Sequence, residues 1–458
     1  MKTNERAGRL RQAALTLMVA GAASALPAIA AAQASPRSIT LPEALQIALT
    51  QNSSVLVAEN AVDAQAVSVR QQQFAFLPSL SFNTSGNESL GRAFSQDEGR
   101  IMTQTTQSFN AGVSAGVTLF DGLRNIANLK SAQYGETASQ MSLERTRQTV
   151  ALTVASNYIA LAEAAEQVRV RQEALSAEEA VAEQIRIFVD AGSRPIADLY
   201  QQQASVASAR ASLVAAERSL ERARTDVLET LQLDPSAEYE FVPPTLAAVA
   251  GGRALEPLDT LIARAVHNRV DLDAQEARVA AAEQSARAAS ASRWPTVSLS
   301  AGYNTGATSV SDLSFSDQLD ERRGGSLGIS VSVPIFDRLS RASATEQARI
   351  AVDNASIELA AQRRQVGLEV RRAWVDYQSA AAQVQAAEAQ LQAAQLALDA
   401  VTERYRLGAA TLVEVTQARS AQVQAASSLV TGRNTLVLQR ALIAYYAGDL
   451  DPETPVIG

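Results

Sequence analysis

The sequence predicts a mainly α-helical chain that also carries strands of a membrane β-barrel, with one layout written twice. Three observations carry that expectation. Four stretches alternate residue by residue over strand length, two helical runs of 69 residues contain no proline, and landmarks recur in one order at an offset of 216 to 217 residues. At 458 residues and 47% hydrophobic composition, the chain is long enough for a sizeable core.

The N-terminus reads as a secretory signal removed on export. Met1 to Ala34 has a basic start, an apolar stretch from Ala13 to Ala30, and small residues ending in Ala32-Gln33-Ala34 before Ser35. A membrane anchor is the alternative, but Pro27 interrupts the stretch and no good spanning run of about 20 residues survives. After Ala34 there is no transmembrane-helix candidate, and without cysteine no lipidated Cys can begin the mature chain.

The scarce residues exclude many chemistries. Cysteine is absent, His267 is the single histidine, and Lys2 and Lys130 are the only lysines. Zinc sites need several Cys or His ligands, a P-loop needs Lys after its glycines, and a Ser-His-Asp triad would have to be built on His267. His267 has no second histidine or nucleophile elbow nearby, so it reads as structural, and neither an enzyme nor a cofactor is expected. The formal charge of −8 includes a leader of +3, so the mature chain carries about −11, which argues against nucleic acid as a partner.

The repeat organises everything downstream. Leu77-Pro78-Ser79-Leu80-Ser81 answers Trp294-Pro295-Thr296-Val297-Ser298, and Val117-Thr118-Leu119-Phe120-Asp121 answers Val333-Pro334-Ile335-Phe336-Asp337. Leu233-Asp234-Pro235 answers Leu450-Asp451-Pro452, and Gly192 answers Gly408. The expected first repeat is 35–235, with a hairpin over 77–119, a long helix over 121–189 and a helix over 196–231. A connector over 236–257, broken by Pro243-Pro244 and Gly251-Gly252, leads to the second repeat at 258–452. There the hairpin spans 295–335, the long helix 337–405 and the last helix 412–447, before a short tail over 453–458.

Period-two alternation identifies the strands. Phe109, Ala111, Val113, Ala115, Val117 and Leu119 interleave with Asn110, Gly112, Ser114, Gly116 and Thr118. Leu327, Ile329, Val331, Val333 and Ile335 interleave with Ser326, Gly328, Ser330, Ser332 and Pro334. Their partners are Leu80 to Gly86 and Thr296 to Asn304, joined through polar stretches over 87–108 and 305–324 that read as long extracellular loops. Phe120, Trp294, Tyr303 and Phe336 fit either the membrane interfaces or ordinary packing at the strand–helix junctions.

The helices follow from composition. The runs 121–189 and 337–405 are rich in Ala, Gln, Glu, Arg and Leu, and each would reach roughly 100 Å at about 1.5 Å per residue. The shorter helices 41–76, 196–231, 258–293 and 412–447 have 36 residues each, so two end to end nearly match one long helix. Alanine clusters such as Ala380-Ala381-Ala382 permit close coiled-coil packing. Four strands cannot close a barrel, and an open edge in lipid leaves backbone groups unpaired, so copies must assemble. A dimer's eight-stranded barrel would be filled by side chains, whereas a trimer's twelve strands leave a lumen.

From about Leu41 to Pro452 the chain resembles the TolC family of outer-membrane efflux and secretion proteins. The resemblance rests on Leu41-Pro42-Glu43-Ala44-Leu45 with Ala48 and Asn52, Leu77-Pro78, Leu119-Phe120-Asp121-Gly122, Tyr405-Arg406-Leu407-Gly408 and the Glu414 segment. It implies a homotrimeric duct of twelve strands and a twelve-helix periplasmic tunnel, fed by an inner-membrane pump of ABC or RND type through a periplasmic adaptor (membrane fusion) protein. Drug efflux and type I secretion are both served by the branch that lacks a lipidated cysteine.

By the same resemblance the periplasmic end is gated, with Asp198 and Tyr405 on matching gate positions and Glu414 on an acidic ring that would bind divalent-cation blockers. Gly192 and Gly408 terminate helices at the tip turns, where adaptors engage. Two departures stand out: the family's basic gate residue aligns with Ala410, and a second acidic position with Gln417. Asp198 and Glu414 also read simply as first-turn carboxylates complementing helix dipoles. A secreted coiled-coil structural protein or adhesin is the alternative class, and it leaves the amphipathic hairpins unexplained.

Overall fold

The computed structural model describes residues 37–95, 99–243 and 255–452. The signal segment, the tail and the Gly251-Gly252 part of the connector lie outside the described residues. The order of elements is β1 (Arg37–Ile39), α1 (Leu41–Gln51), α2 (Ser53–Phe74), β2 (Ser79–Ser95), β3 (Arg100–Phe120), α3 (Arg124–Asp190), α4 (Ile196–Leu231) and β4 (Tyr239–Phe241). The second half continues with α5 (Leu258–Asn268), α6 (Val270–Ala291), β5 (Thr296–Thr308), α7 (Phe315–Glu321), β6 (Gly324–Ser332), α8 (Ser340–Arg406) and α9 (Leu412–Ala447).

Each half therefore runs through helices of 11, 22, 67 and 36 residues. The 36-residue helices expected over 41–76 and 258–293 are each broken in two, and the break is a docking point. Asn52 leaves the helical region, accepts from the Ser54 amide and donates to the Thr230 carbonyl at 3.0 Å. Gln232, just past the end of α4, meets the Ser53 amide at 3.1 Å. In the second half Gly448, at φ +79°, lies against the backbone of Asn268 and Arg269 beyond the end of α9. Each kink receives the C-terminus of the short helix stacked beneath it.

The long helices begin three residues later than expected. Gly122 and Leu123 in one half, and Arg338 and Leu339 in the other, adopt positive φ and turn the chain from sheet to helix. Asp121 and Asp337 then accept from the amides of Asn125 and Arg341, each at 3.0 Å, to start α3 and α8.

The sheet is antiparallel in the order β2-β3-β5-β6, leaving β2 and β6 as free edges. The first supposed loop, 87–108, is largely strand: pairing continues from Asn87↔Ser108 out to Ser95↔Arg100. Polarity misled the expectation, since Thr103, Thr105 and Thr106 favour extended backbone as well as water. The second, 305–324, holds α7, whose Gln318 side-chain Oε1 accepts from the Thr308 amide at 2.7 Å while Phe315 meets Phe109 at 5.5 Å between ring centroids.

Helix packing sets the shape. α6 and α9 stack end to end in the trough between α3 and α8, and α2 and α4 stack along the other side of α3. Cores form at mid-height. Tyr158 is fully buried, donates to the Ile39 carbonyl at 3.1 Å and packs edge-on to Phe241, so the unexpected parallel pair β1–β4 covers it. The other core joins Leu261, Ala265, Leu272, Val366, Val370 and Ile443.

Beside it lies a buried ionic cluster in which Arg269 bonds Asp271 and Glu369, each at 2.6 Å. Burial would raise the Asp271 pKa, but hydrogen bonding to Arg269 and the charges of Arg269 and Arg145 hold it below the usual carboxylate range. His267 is exposed in the last turn of α5.

Candidate functional site: the helical tips

The ends of the helices opposite the sheet bring together the residues singled out for the gate. α3 closes with Gly192 at φ +70°, the Ser193 amide bonding the Phe188 carbonyl and the Gly192 amide that of Val189. α8 closes identically, with Gly408 at φ +75° and the Ala409 amide on Arg404. Both are Schellman turns, in which a left-handed residue satisfies carbonyls orphaned by the helix end.

Glu414 is held by a capping box. The Thr411 hydroxyl accepts from the Glu414 amide at 3.3 Å, while the Glu414 carboxylate accepts from the Thr411 amide at 3.2 Å and lies 3.8 Å from Arg404. The backbone bond from Thr411, then its hydroxyl, lowers the Glu414 pKa, so the group stays anionic. Asp198 sits in the first turn of α4, with no side-chain hydrogen bond or ion pair to Tyr405 or Glu414 among the described residues.

Tyr405 instead meets Arg194. The guanidinium lies 4.4 Å over the ring and donates to the Tyr405 carbonyl at 3.0 Å, joining the α3–α4 turn to the end of α8. The Tyr405 hydroxyl is buried without a hydrogen-bond partner among the described residues, and burial raises its pKa. Around it Ile185, Leu412 and Val415 form a small core, with Val181, Leu199 and Ala410 packed against it. Ala410, standing where a basic residue was expected, thus serves as packing, while Gln417 is exposed.

One constellation was missed in the sequence. Glu178 on α3 accepts from Gln202 of α4 and lies 3.7 Å from Arg419 of α9, with the two charged side chains 12% and 13% exposed. It bridges three helices, but the partners lie 24 and 241 positions away, and only the tertiary fold brings them together. Among the described residues no group of His, Cys, Asp and Glu could hold a metal, and no helix is long and apolar enough to cross a membrane.

A model of the family described as outer membrane efflux protein matches residues 44–231 and 261–448, once in each half. The chain belongs to the outer membrane efflux protein family. It is 24% identical over 429 residues to the outer membrane protein TolC of Vibrio cholerae, covering 90% of this chain and 96% of that one. Over 355 residues it is 25% identical to the pyoverdine export outer membrane protein OpmQ of Pseudomonas putida, covering 74% and 69%. Among solved structures, the outer membrane protein VceC of Vibrio cholerae superposes with a TM-score of 0.74 at 20% identity, covering 89% of this chain and 96% of that one. The protein is thus a TolC-family outer-membrane channel of the efflux type, with the mainly helical fold of that family.

Proposed function

We propose that this efflux-family chain works as a homotrimeric exit duct, passively conducting substrates that an inner-membrane pump delivers through a periplasmic adaptor. The observation that carries this reading is the pair of unsatisfied edges on a single copy. Among the described residues the sheet ends at β2 and β6 without partners, and α8 bears a second apolar seam of Ile350, Ile357, Leu368, Val375 and Leu396, all exposed. Its covered seam, Val366, Ala373, Ala380 and Ala387, packs inside the chain. A helix with apolar seams on opposite sides is built to sit between two neighbours, and three copies in a ring supply them.

In this reading residues 1–34 are removed on export, and the repeats 35–235 and 258–452, joined by the connector 236–257, each contribute one hairpin and one arc of tunnel wall. Asp198, Tyr405 and Glu414 belong to the periplasmic gate, where three Glu414 carboxylates favour cations, and the Gly192 and Gly408 turns meet the adaptor. The test is single-channel recording on reconstituted protein whose oligomeric mass is measured in the same preparation. Trimers with discrete, cation-preferring currents are expected; a non-conducting, water-soluble oligomer would overturn the reading.

A further inference from the structure

The junction between sheet and helices concentrates positive charge in an otherwise acidic chain. Four twelve-residue segments, 67–78, 119–130, 285–296 and 333–344, cross this junction. They hold seven cations, Arg70, Arg124, Lys130, Arg287, Arg293, Arg338 and Arg341, and two carboxylates, Asp121 and Asp337, a net charge of +5. Both carboxylates are engaged in starting helices α3 and α8. Among the described residues, Arg70, Lys130, Arg287, Arg293 and Arg338 make no ion pair, and all five are exposed.

The same segments carry exposed apolar groups immediately on the sheet side: Phe76, Phe120, Trp294, Ile335 and Phe336, the last two 96% and 83% exposed. An apolar and aromatic band followed along the chain by cations on the helical side is the order of groups found from acyl chain to headgroup at a membrane surface. Arg293 and Trp294 place both in adjacent residues. The pattern recurs at all four crossings, which a chance surface cluster would not do.

We propose that this belt binds the phosphates of anionic phospholipids in the membrane leaflet on the helical side of the sheet. It would fix the depth at which sheet gives way to helix and enrich anionic lipid around the protein. The inference rests on the sheet lying in the outer membrane, and the experiment separates the two.

Trp294 is the reporter. In a Trp374→Phe background it is the only tryptophan, and its fluorescence is quenched by phospholipids brominated in their acyl chains. Vesicles of phosphatidylcholine containing either brominated phosphatidylglycerol or brominated phosphatidylcholine give the relative association of the two headgroups. About fivefold preference for phosphatidylglycerol is expected at 0.05 M salt, the scale of one basic residue at an anionic surface, falling toward unity at 0.5 M. Arg293→Gln with Arg338→Gln should abolish the preference while quenching persists. Equal quenching by the two lipids, or a preference that survives both substitutions, would overturn the belt. Absence of quenching by either lipid would overturn the membrane placement of the sheet as well. Phosphatidylglycerol retained per chain after detergent extraction, compared between the native tryptophan protein and Arg293→Gln/Arg338→Gln, gives a second readout free of the Trp374 change.

Discussion

Replacing Glu178 by Gln tests how the helical tips are held together. The substitution keeps the size of the side chain and an acceptor for Gln202, but removes the charge facing Arg419. At 3.7 Å and an effective dielectric of about 20 the lost attraction is about 4 kcal/mol. The pair is already incomplete, because Nη1 of Arg419 is buried without a hydrogen-bond partner among the described residues. With recovered desolvation of the carboxylate offsetting part of the loss, about 2 kcal/mol should remain. That corresponds to roughly 30-fold faster hydrogen exchange through local opening, read by mass spectrometry on peptides from 176–190 and 412–422. Peptides across the mid-height core, 150–162, should keep their protection. Glu178→Leu with Arg419→Met, which removes both charges, should recover much of the loss. Unchanged tip exchange, or equal loss at tip and core, would refute the claim that this pair joins the helical hairpins.

Other predictions follow from single sites. Glu414→Gln should reduce divalent-cation block of current through reconstituted channels; unchanged block would remove Glu414 from the conduction path. Because the folded pKa of Glu414 is depressed below 4.5, its cap contributes stability above that pH and loses it as pH falls through the folded value. Exchange of the first amides of α9, corrected for intrinsic pH dependence, should rise there, and Glu414→Gln should erase that rise. Gly122→Ala and Gly408→Ala share the left-handed strain of about 1 kcal/mol, but an added Cβ at Gly122 falls 2.7 Å from the Ala291 carbonyl oxygen and finds open space at Gly408. Thermal unfolding in detergent should therefore be lowered much more by Gly122→Ala. Arg269→Met leaves Asp271 and Glu369 without their shared cation and should cost about 3–5 kcal/mol, read as a fall in unfolding temperature.

Helices and strand alternation were legible because each is local, and the repeat because its landmarks keep one order at one offset: the 67-residue helices announce themselves in composition, and the period-two pattern from Phe109 to Leu119 needs no tertiary context. The kinks at Asn52 and Arg269 were not, because nothing local requires them; Asn52 bends the chain to receive Thr230, 178 positions away. The extended hairpin over 87–108 was hidden by its polarity, which suits loops and water-exposed strands alike. At the tips, the glycine turns and the first-turn place of Glu414 were read from the sequence, whereas the Thr411–Glu414 box was missed although its spacing carried the signal. The partners of Tyr405 and Arg419 could not, since Arg194 and Glu178 lie on another helical hairpin.

The distribution of cores along the helices argues for where the wall can move. At mid-height, Tyr158, Leu161, Val227 and Leu231 are almost fully buried, and the neighbouring core is reinforced by the Arg269 cluster. At the sheet end, Asp121 and Asp337 fix the helix starts. At the tips, the two helical hairpins meet through four buried side chains, Ile185, Tyr405, Leu412 and Val415, together with two polar links that leave the Tyr405 hydroxyl and an Arg419 nitrogen unsatisfied. Local opening concentrates where buried apolar contacts are few, and unsatisfied buried groups lower its cost further because they regain water when exposed. The α3–α4 and α8–α9 hairpins should therefore part from the tips upward, with the kinks at Asn52 and Arg269 remaining packed. In the proposed duct, a wall that is rigid in the middle and poorly satisfied at one end would need no separate hinge in order to open.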